Sequence, residues 1–265
     1  LPMESEFPLD IGGKSALDYL IHVEGLGFVE AVRSLCGEQP SVRLPTFVEE
    51  QKKEFHLPVP AANCRRVFAY LQGRGIAPRV IASCIKMGIL YESEGNHNAV
   101  FVGRDEEGAA RYAFLRGTYS RTEKPFRGEV TGSEKAFCFC IPAQGKTNRV
   151  AVYEAAIDAL AHWTLEGTQD KHRLSLGGIY APKSGTAGFQ NPRALDAFLA
   201  RNPEVDEIEV CTDNDPAGRY AAARIIRAYG QKYRMIDHPP DVEQGDYADL
   251  ARKKQRDREA RAASR

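Results

Sequence analysis

The sequence predicts an α/β protein in which an open sheet, its strands each running into a helix, forms the C-terminal part and a smaller α+β unit precedes it. Three stretches carry that prediction. Val150-Ala-Val-Tyr-Glu154-Ala-Ala-Ile-Asp158-Ala-Leu160 reads as a short apolar strand that ends on a carboxylate and turns into a helix with a second carboxylate one turn later. Glu207-Ile-Glu-Val-Cys-Thr-Asp213-Asn-Asp215-Pro-Ala-Gly218 reads as a buried strand with Ile208, Val210 and Cys211 at its core, and Pro216 opens the next helix at its first position. Between residues 89 and 115, Ile89-Leu-Tyr91, Ala99-Val-Phe-Val102 and Ala110-Arg-Tyr-Ala-Phe-Leu115 alternate with a turn at Asp105-Glu-Glu-Gly108, the pattern of an antiparallel meander.

In chain order, Ser15 caps a predicted helix whose Ala16, Leu17, Leu20 and Val23 share a face, and Gly25 and Gly27 end it. A second short helix runs from Phe28 to Leu35. Gly12-Gly-Lys-Ser15 is not a phosphate loop, because Pro8 stands where the first glycine is required and no strand precedes it. Gln39 to Pro60 carries four prolines among charged residues without a period and reads as a linker. Helices follow from Cys64 to Gln72 and from Pro78, with Val80, Ile81 and Ile85 inward. After the meander, Cys138-Phe-Cys140 reads as a strand with buried thiols rather than a metal pair. Leu174 to Tyr180 reads as the second strand of the parallel part, Lys183-Ser-Gly-Thr-Ala-Gly188 as a loop, Pro192 to Arg201 as a helix and Lys232 to Ile236 as the last strand. Beyond Leu250 the chain is a strongly basic, solvated helix, with weak nucleic-acid binding as the competing reading.

The 265 residues suit one large or two small domains, and 36 Lys and Arg balance 36 Asp and Glu. A uniformly basic nucleic-acid binder is thereby excluded, whereas local patches are not. No apolar run reaches membrane-spanning length and no signal peptide opens the chain, so a soluble cytoplasmic protein is expected. The chain starts at Leu1, which leaves room for residues upstream. Its six cysteines show no paired zinc spacing. His162 and Trp163, on the helix after Glu154, read as core or surface residues rather than catalytic ones.

The chemistry is concentrated in the carboxylates. Glu154, Asp213 and Asp215 fall outside the carboxyl ends of their strands, where open α/β sheets present ligands. In a strand-like Asp-x-Asp both side chains point the same way and repel unless a cation lies between them, and hard oxygen donors suit Mg2+. The competing reading is a strand exit followed by an ordinary helix N-cap.

The joint pattern resembles the Toprim domain of bacterial DnaG-type primases, topoisomerases and some nucleases: Glu154 and Asp158, then Asp213, Asp215, Ala217 and Gly218, then Ala221, Ala222, Ala223 and Arg224. Ala155 departs from the glycine usual in primases. Asp246, in Gln244-Gly245-Asp246, resembles the family's closing acidic motif, with Gly245 where lysine is common. Tyr70-Leu-Gln-Gly-Arg74-Gly75, Asn98 to Gly117 and Gly132-Ser-Glu-Lys135 resemble the DUF3991 domain that precedes Toprim in proteins of conjugative elements and phages. Gly13 to Val32 resembles the end of a primase zinc ribbon without its zinc ligands. These resemblances imply five segments: 1–38 a ribbon remnant, 39–60 a linker, 61–146 a DUF3991-like α+β subdomain, 147–250 a Toprim, Rossmann-like and mostly parallel sheet, and 251–265 a basic tail.

What the resemblance implies is a primase-like nucleotidyltransferase making RNA primers on single-stranded DNA of a mobile element. Glu154, Asp158, Asp213 and Asp215 would be catalytic, with Mg2+ or Mn2+ held by Glu154, Asp213, Asp215 and Asp246. Arg74, Arg116, Lys135 and Lys183 would meet nucleic acid or nucleotide, and Arg121, Lys124 and Arg127 could line the same groove. The partners expected are a single-stranded DNA template, ribonucleotides and a helicase or relaxase, with no membrane. The alternatives are a metal-dependent Toprim nuclease and a non-catalytic single-strand-binding accessory protein.

Overall fold

The computed structural model describes residues 16–22, 24–36, 54–119, 125–178 and 190–264. It divides into a unit up to Gln51 and a unit from Lys52 onward. In the first, α1 (Ala16–His22) and α2 (Phe28–Cys36) pack as a pair, joined through Gly25 at φ 70°. Ser15, Lys183, Arg121 and Lys124, and most of the expected linker, lie outside the described residues.

The second unit contains both sheets. α3 (Arg65–Gly73) and α4 (Pro78–Lys86) place Val67, Leu71, Val80, Ile81 and Cys84 in one apolar core with Leu90 and Phe101. An antiparallel sheet follows in the order β1 (Leu90–Glu92), β2 (Ala99–Arg104), β3 (Ala110–Arg116) and β4 (Arg127–Glu129). The end of the expected linker is tied to this sheet: Tyr91 Oη donates to the Pro58 carbonyl at 2.6 Å, and the Ala61 amide donates to the Glu92 carbonyl at 2.8 Å.

The other sheet runs in the order β5 (Cys140–Ile141), β7 (His172–Ser175), β6 (Arg149–Tyr153), β8 (Glu207–Val210) and β9 (Arg234–Asp237). β6 to β9 are parallel, and β5 is an antiparallel edge. After β6 the chain goes to β7 on one side, then crosses to β8 on the other. The C-terminal ends of β6 and β8 therefore flank the switch point where doubly wound sheets bind ligands. α5 (Ala156–Glu166) and α8 (Tyr247–Ala263) cover the face carrying Ala151, Tyr153 and Cys211. α6 (Arg193–Arg201) and α7 (Pro216–Tyr229) cover the face carrying Val150, Val152, Ile208 and Val210. The α3–α4 core is continuous with the α5–α8 face, which sets the smaller subdomain against the parallel sheet.

Three expectations are corrected. Cys138 and Phe139 are not in a strand; only Cys140–Ile141 pairs, and Lys135–Phe137 is a turn of 3-10 helix. The second parallel strand is His172–Ser175 rather than Leu174 to Tyr180, because Gly177 and Gly178 both take positive φ and turn the chain out of the sheet. Lys135, expected to meet nucleic acid or nucleotide, lies in that 3-10 turn and pairs with Glu129 outside the cavity lining.

Beneath α5 the parallel sheet buries a charged network. Lys171 Nζ lies 2.7 Å from Glu166 and 2.5 Å from Glu209, and Arg173, fully buried, lies 2.5 Å from Glu166. Burial alone would raise Glu209, but the hydrogen bonds from Lys171 and His238 outweigh it and hold the carboxylate low.

Candidate active site

A cavity of about 410 Å³ opens at the C-terminal ends of β6 and β8, between the two sheets. Glu154, Asp158, Asp213 and Asp246 line one wall, and Arg74, Arg116 and Arg127 line the cavity with them. Rings of Phe101, Tyr112, Phe114 and Phe139 complete it. Glu154 is delivered by the end of β6 and Asp213 by the exit of β8. Glu154 Oε1 accepts a hydrogen bond from the Asp213 amide at 3.3 Å, which fixes the two strand ends to each other.

Asp158, in the first turn of α5, is buried and accepts from the Ala248 amide at 3.4 Å. Asp246 caps α8 by accepting from the Asp249 amide at 2.7 Å, and lies 3.8 Å from Arg74. Asp215 does the same for α7, accepting from the Gly218 amide at 2.7 Å, and does not line the cavity. The N-cap reading of Asp215 therefore holds for one of its oxygens.

The electrostatics show what the acids lack. Burial first, then repulsion from Glu154, Asp246, Asp215 and Asp249, pushes Asp213 up to about 7. Burial likewise raises Glu154, with Asp215 and Asp246 adding repulsion against the Asp213 amide and the Arg219 charge. Asp158 is driven well up by burial, and the Asp246 and Asp213 charges add to it. An all-carboxylate donor set under this mutual repulsion fits a hard divalent cation, whose charge would relieve it.

Positive charge lines the same cavity. Arg116 and Arg127 are direct cross-strand partners on β3 and β4. Both side chains reach the cavity lining, where two guanidinium groups can take a phosphate. Arg116 is oriented by donating from Nε to Tyr70 Oη at 3.1 Å. Lys135 instead pairs with Glu129 at 3.2 Å and reaches the Gly177 carbonyl at 3.4 Å, outside the lining. Arg127 takes the place expected of it. The sequence signal for Arg127 was slight, since its strand has three residues and no apolar alternation.

Among the described residues, the one His, Cys, Asp and Glu group with ligand atoms within 4.8 Å of one another is His162, Glu209 and His238, outside the cavity lining. There the Lys171 ammonium already supplies the positive charge, and Tyr153 Oη and the Tyr247 ring hold His162. The group is accounted for as part of the buried ion network.

Gly218 is the glycine on which the acids depend. A Cβ there would lie 2.2 Å from the Asp213 carbonyl oxygen and 2.8 Å from Glu154 Oε1. Gly218→Ala is expected to destabilise the fold by about 1–3 kcal/mol through overpacking, and to displace both acids. Urea unfolding measured alongside activity checks it, and unchanged values in both would contradict this placement.

Residues 69–147 match the family DUF3991, described as a protein of unknown function, and residues 151–250 match the family described as Toprim-like. The chain is similar to the uncharacterized protein pXO2-78 of Bacillus anthracis, 25% identical over 226 residues, and spans 79% of this chain and 62% of that relative's length. Among solved structures it is similar to the DnaG catalytic core, with 20% identity, TM-score 0.47, and coverage of 77% of this chain and 74% of that one. It is also similar to the primase fragment of the bacteriophage T7 primase-helicase, with 19% identity, TM-score 0.46 and 72% of each chain covered. The chain thus carries, in order, a stretch that matches DUF3991 and a stretch that matches the Toprim-like family.

Proposed function

We propose that this protein is a primase-type nucleotidyltransferase that makes RNA primers on single-stranded DNA in the replication or transfer of a mobile element. The observation that carries the reading is the cavity in which mutually repelling carboxylates share a lining with Arg74, Arg116 and Arg127. A metal–nucleotide complex would bring a cation to the acids and phosphate oxygens to the arginines.

In this reading Glu154 and Asp213 hold the divalent cation, Mg2+ or Mn2+, and Asp246 with the outer oxygen of Asp215 adds negative charge beside them. A divalent cation at such carboxylates neutralises phosphate charge and stabilises the attacking and leaving oxygens of phosphoryl transfer. Arg116 and Arg127 pair with phosphate oxygens, and Arg74, held by Asp246, guards the rim. Asp158, whose carboxyl burial drives up, accepts from the Ala248 amide and ties α5 to the start of α8 beside the other acids. Phe114, half-buried at the lining, offers ring surface to a base, while Tyr112 is buried behind it with its hydroxyl on Glu129. The proposed setting is the cytoplasm, with a helicase or relaxase as partner; among the described residues no helix is long and apolar enough to cross a membrane.

The test is incubation with single-stranded DNA, four ribonucleotides and Mg2+ or Mn2+, with end-labelled DNA followed in parallel. Short RNA products establish the reading. Shortened DNA without RNA replaces it with metal-dependent cleavage by the same carboxylates, and binding without either product replaces it with a silent accessory module.

A further inference from the structure

α8 is unusual in what it does not bury. Its first turn is fixed by the Asp246 cap and by buried Tyr247, Ala248, Leu250 and Ala251, while every residue from Lys253 to Ser264 is exposed. The α3–α4 turn anchors its start. Gly75, at φ 84°, lets the turn approach so closely that a Cβ would lie 2.5 Å from the Arg252 amide nitrogen.

Between Arg252 and Arg261 there are six basic residues against Asp257 and Glu259. Arg252 is answered by Asp249 at 3.5 Å, and Glu259 is engaged by Gln255 at 2.9 Å. Lys254, Arg258 and Arg261 hold no ion pair among the described residues and fall at i, i+4 and i+7 on one stripe. Like charges at these spacings cost an isolated helix about 0.2–0.5 kcal/mol per pair. Asp257 stands at the same spacings from Lys254 and Arg261 and offsets part of that cost, but the stripe packs no core, so burial gives no reason for it.

Its position supplies one. Lys254 and Arg258 line a cavity of about 350 Å³ together with Gly75, Ile76 and Pro78. The residue before Gly75 is Arg74, which lines the acidic cavity. The two cavities thus meet at the α3–α4 turn, with Arg74 lining the first, and with Lys254 and Arg258 lining the second beside a single acid, Glu259.

We infer that α8 is a second nucleic-acid contact, whose stripe of Lys254, Arg258 and Arg261 tracks the phosphate backbone of a single strand leaving the acidic cavity past Arg74. This rests on the nucleic-acid reading of that cavity but not on its chemistry. The stripe adds affinity without sequence preference, because phosphate contacts carry no base information.

The experiment is fluorescence anisotropy of a labelled oligothymidylate of about thirty nucleotides, titrated with the full chain and with the Lys254→Gln/Arg258→Gln/Arg261→Gln variant. Circular dichroism confirms that the variant is folded. At about 100 mM KCl the variant is expected to bind about tenfold more weakly, and the slope of log K against log salt should fall by about 2, at roughly 0.7 per phosphate lost. Asp257→Asn/Glu259→Gln is expected to bind more tightly than the parent. Equal affinity and slope in the triple variant, or no measurable binding by the parent, overturns the inference. A failure of primer synthesis leaves these binding results untouched, so the two readings fail separately.

Discussion

Asp213→Asn is expected to lower primer synthesis at least about a hundredfold, a loss of several kcal/mol of transition-state stabilisation, while making the protein more stable at pH 8. The loss follows from removing a charged oxygen donor from the exit of β8. The gain follows from the same charge. In the folded chain Asp213 titrates at about 7, raised from 3.8 by burial and by its acidic neighbours. A carboxyl raised in this way contributes stability that is present below its unfolded value and is lost as pH rises through 7. The ionised parent therefore carries a penalty at pH 8 that asparagine lacks. With solvent screening of a partly exposed group, an increase of about 2–4 °C in Tm is expected, shrinking as pH falls from 7 toward 4. Thermal scans at pH 8 and pH 5, with and without Mg2+, read it. Parent and variant melting alike at pH 8 would mean that the acids do not repel as described.

Lys171→Met is expected to cost about 3–5 kcal/mol of unfolding free energy, the largest stability loss among these variants. The substitution keeps the stem's apolar contacts but strands Glu209, whose side chain is 5% exposed, with His238 and the more distant Arg149 as its remaining cationic neighbours. Glu166 is less affected because Arg173 and His162 still reach it. The double variant Lys171→Met/Glu209→Met is expected to recover part of the loss, since an apolar pair of similar volume replaces a buried ion pair at little net cost. Urea unfolding of these two and of Glu209→Met reads the cycle. Additive losses would contradict a direct Lys171–Glu209 coupling.

Much of the site was legible because apolar runs locate strand ends. Val150 and Val152, then Ile208 and Val210, face one core, so the residues just beyond them, Glu154 and Asp213, had to emerge at the same edge of the sheet. The meander was equally plain from its turn residues. Lys171 and Arg173 were not legible: each is buried only because partners far along the chain, Glu209 and Glu166, neutralise it. The pairing of Arg116 with Arg127 was hidden for a related reason, since it depends on the register of a three-residue strand. Asp215 was ambiguous in the sequence between metal ligand and helix cap. The structure assigns one oxygen to the cap and leaves its charge close enough to raise Glu154 and Asp213.

The most direct measurement is electron paramagnetic resonance of bound Mn2+ in the parent, in Asp213→Asn and in His238→Ala, with and without a ribonucleoside triphosphate. Mn2+ bound by the parent and by His238→Ala, tightened by the triphosphate and lost in Asp213→Asn, is the predicted result. Mn2+ binding that survives Asp213→Asn and disappears in His238→Ala would contradict the account.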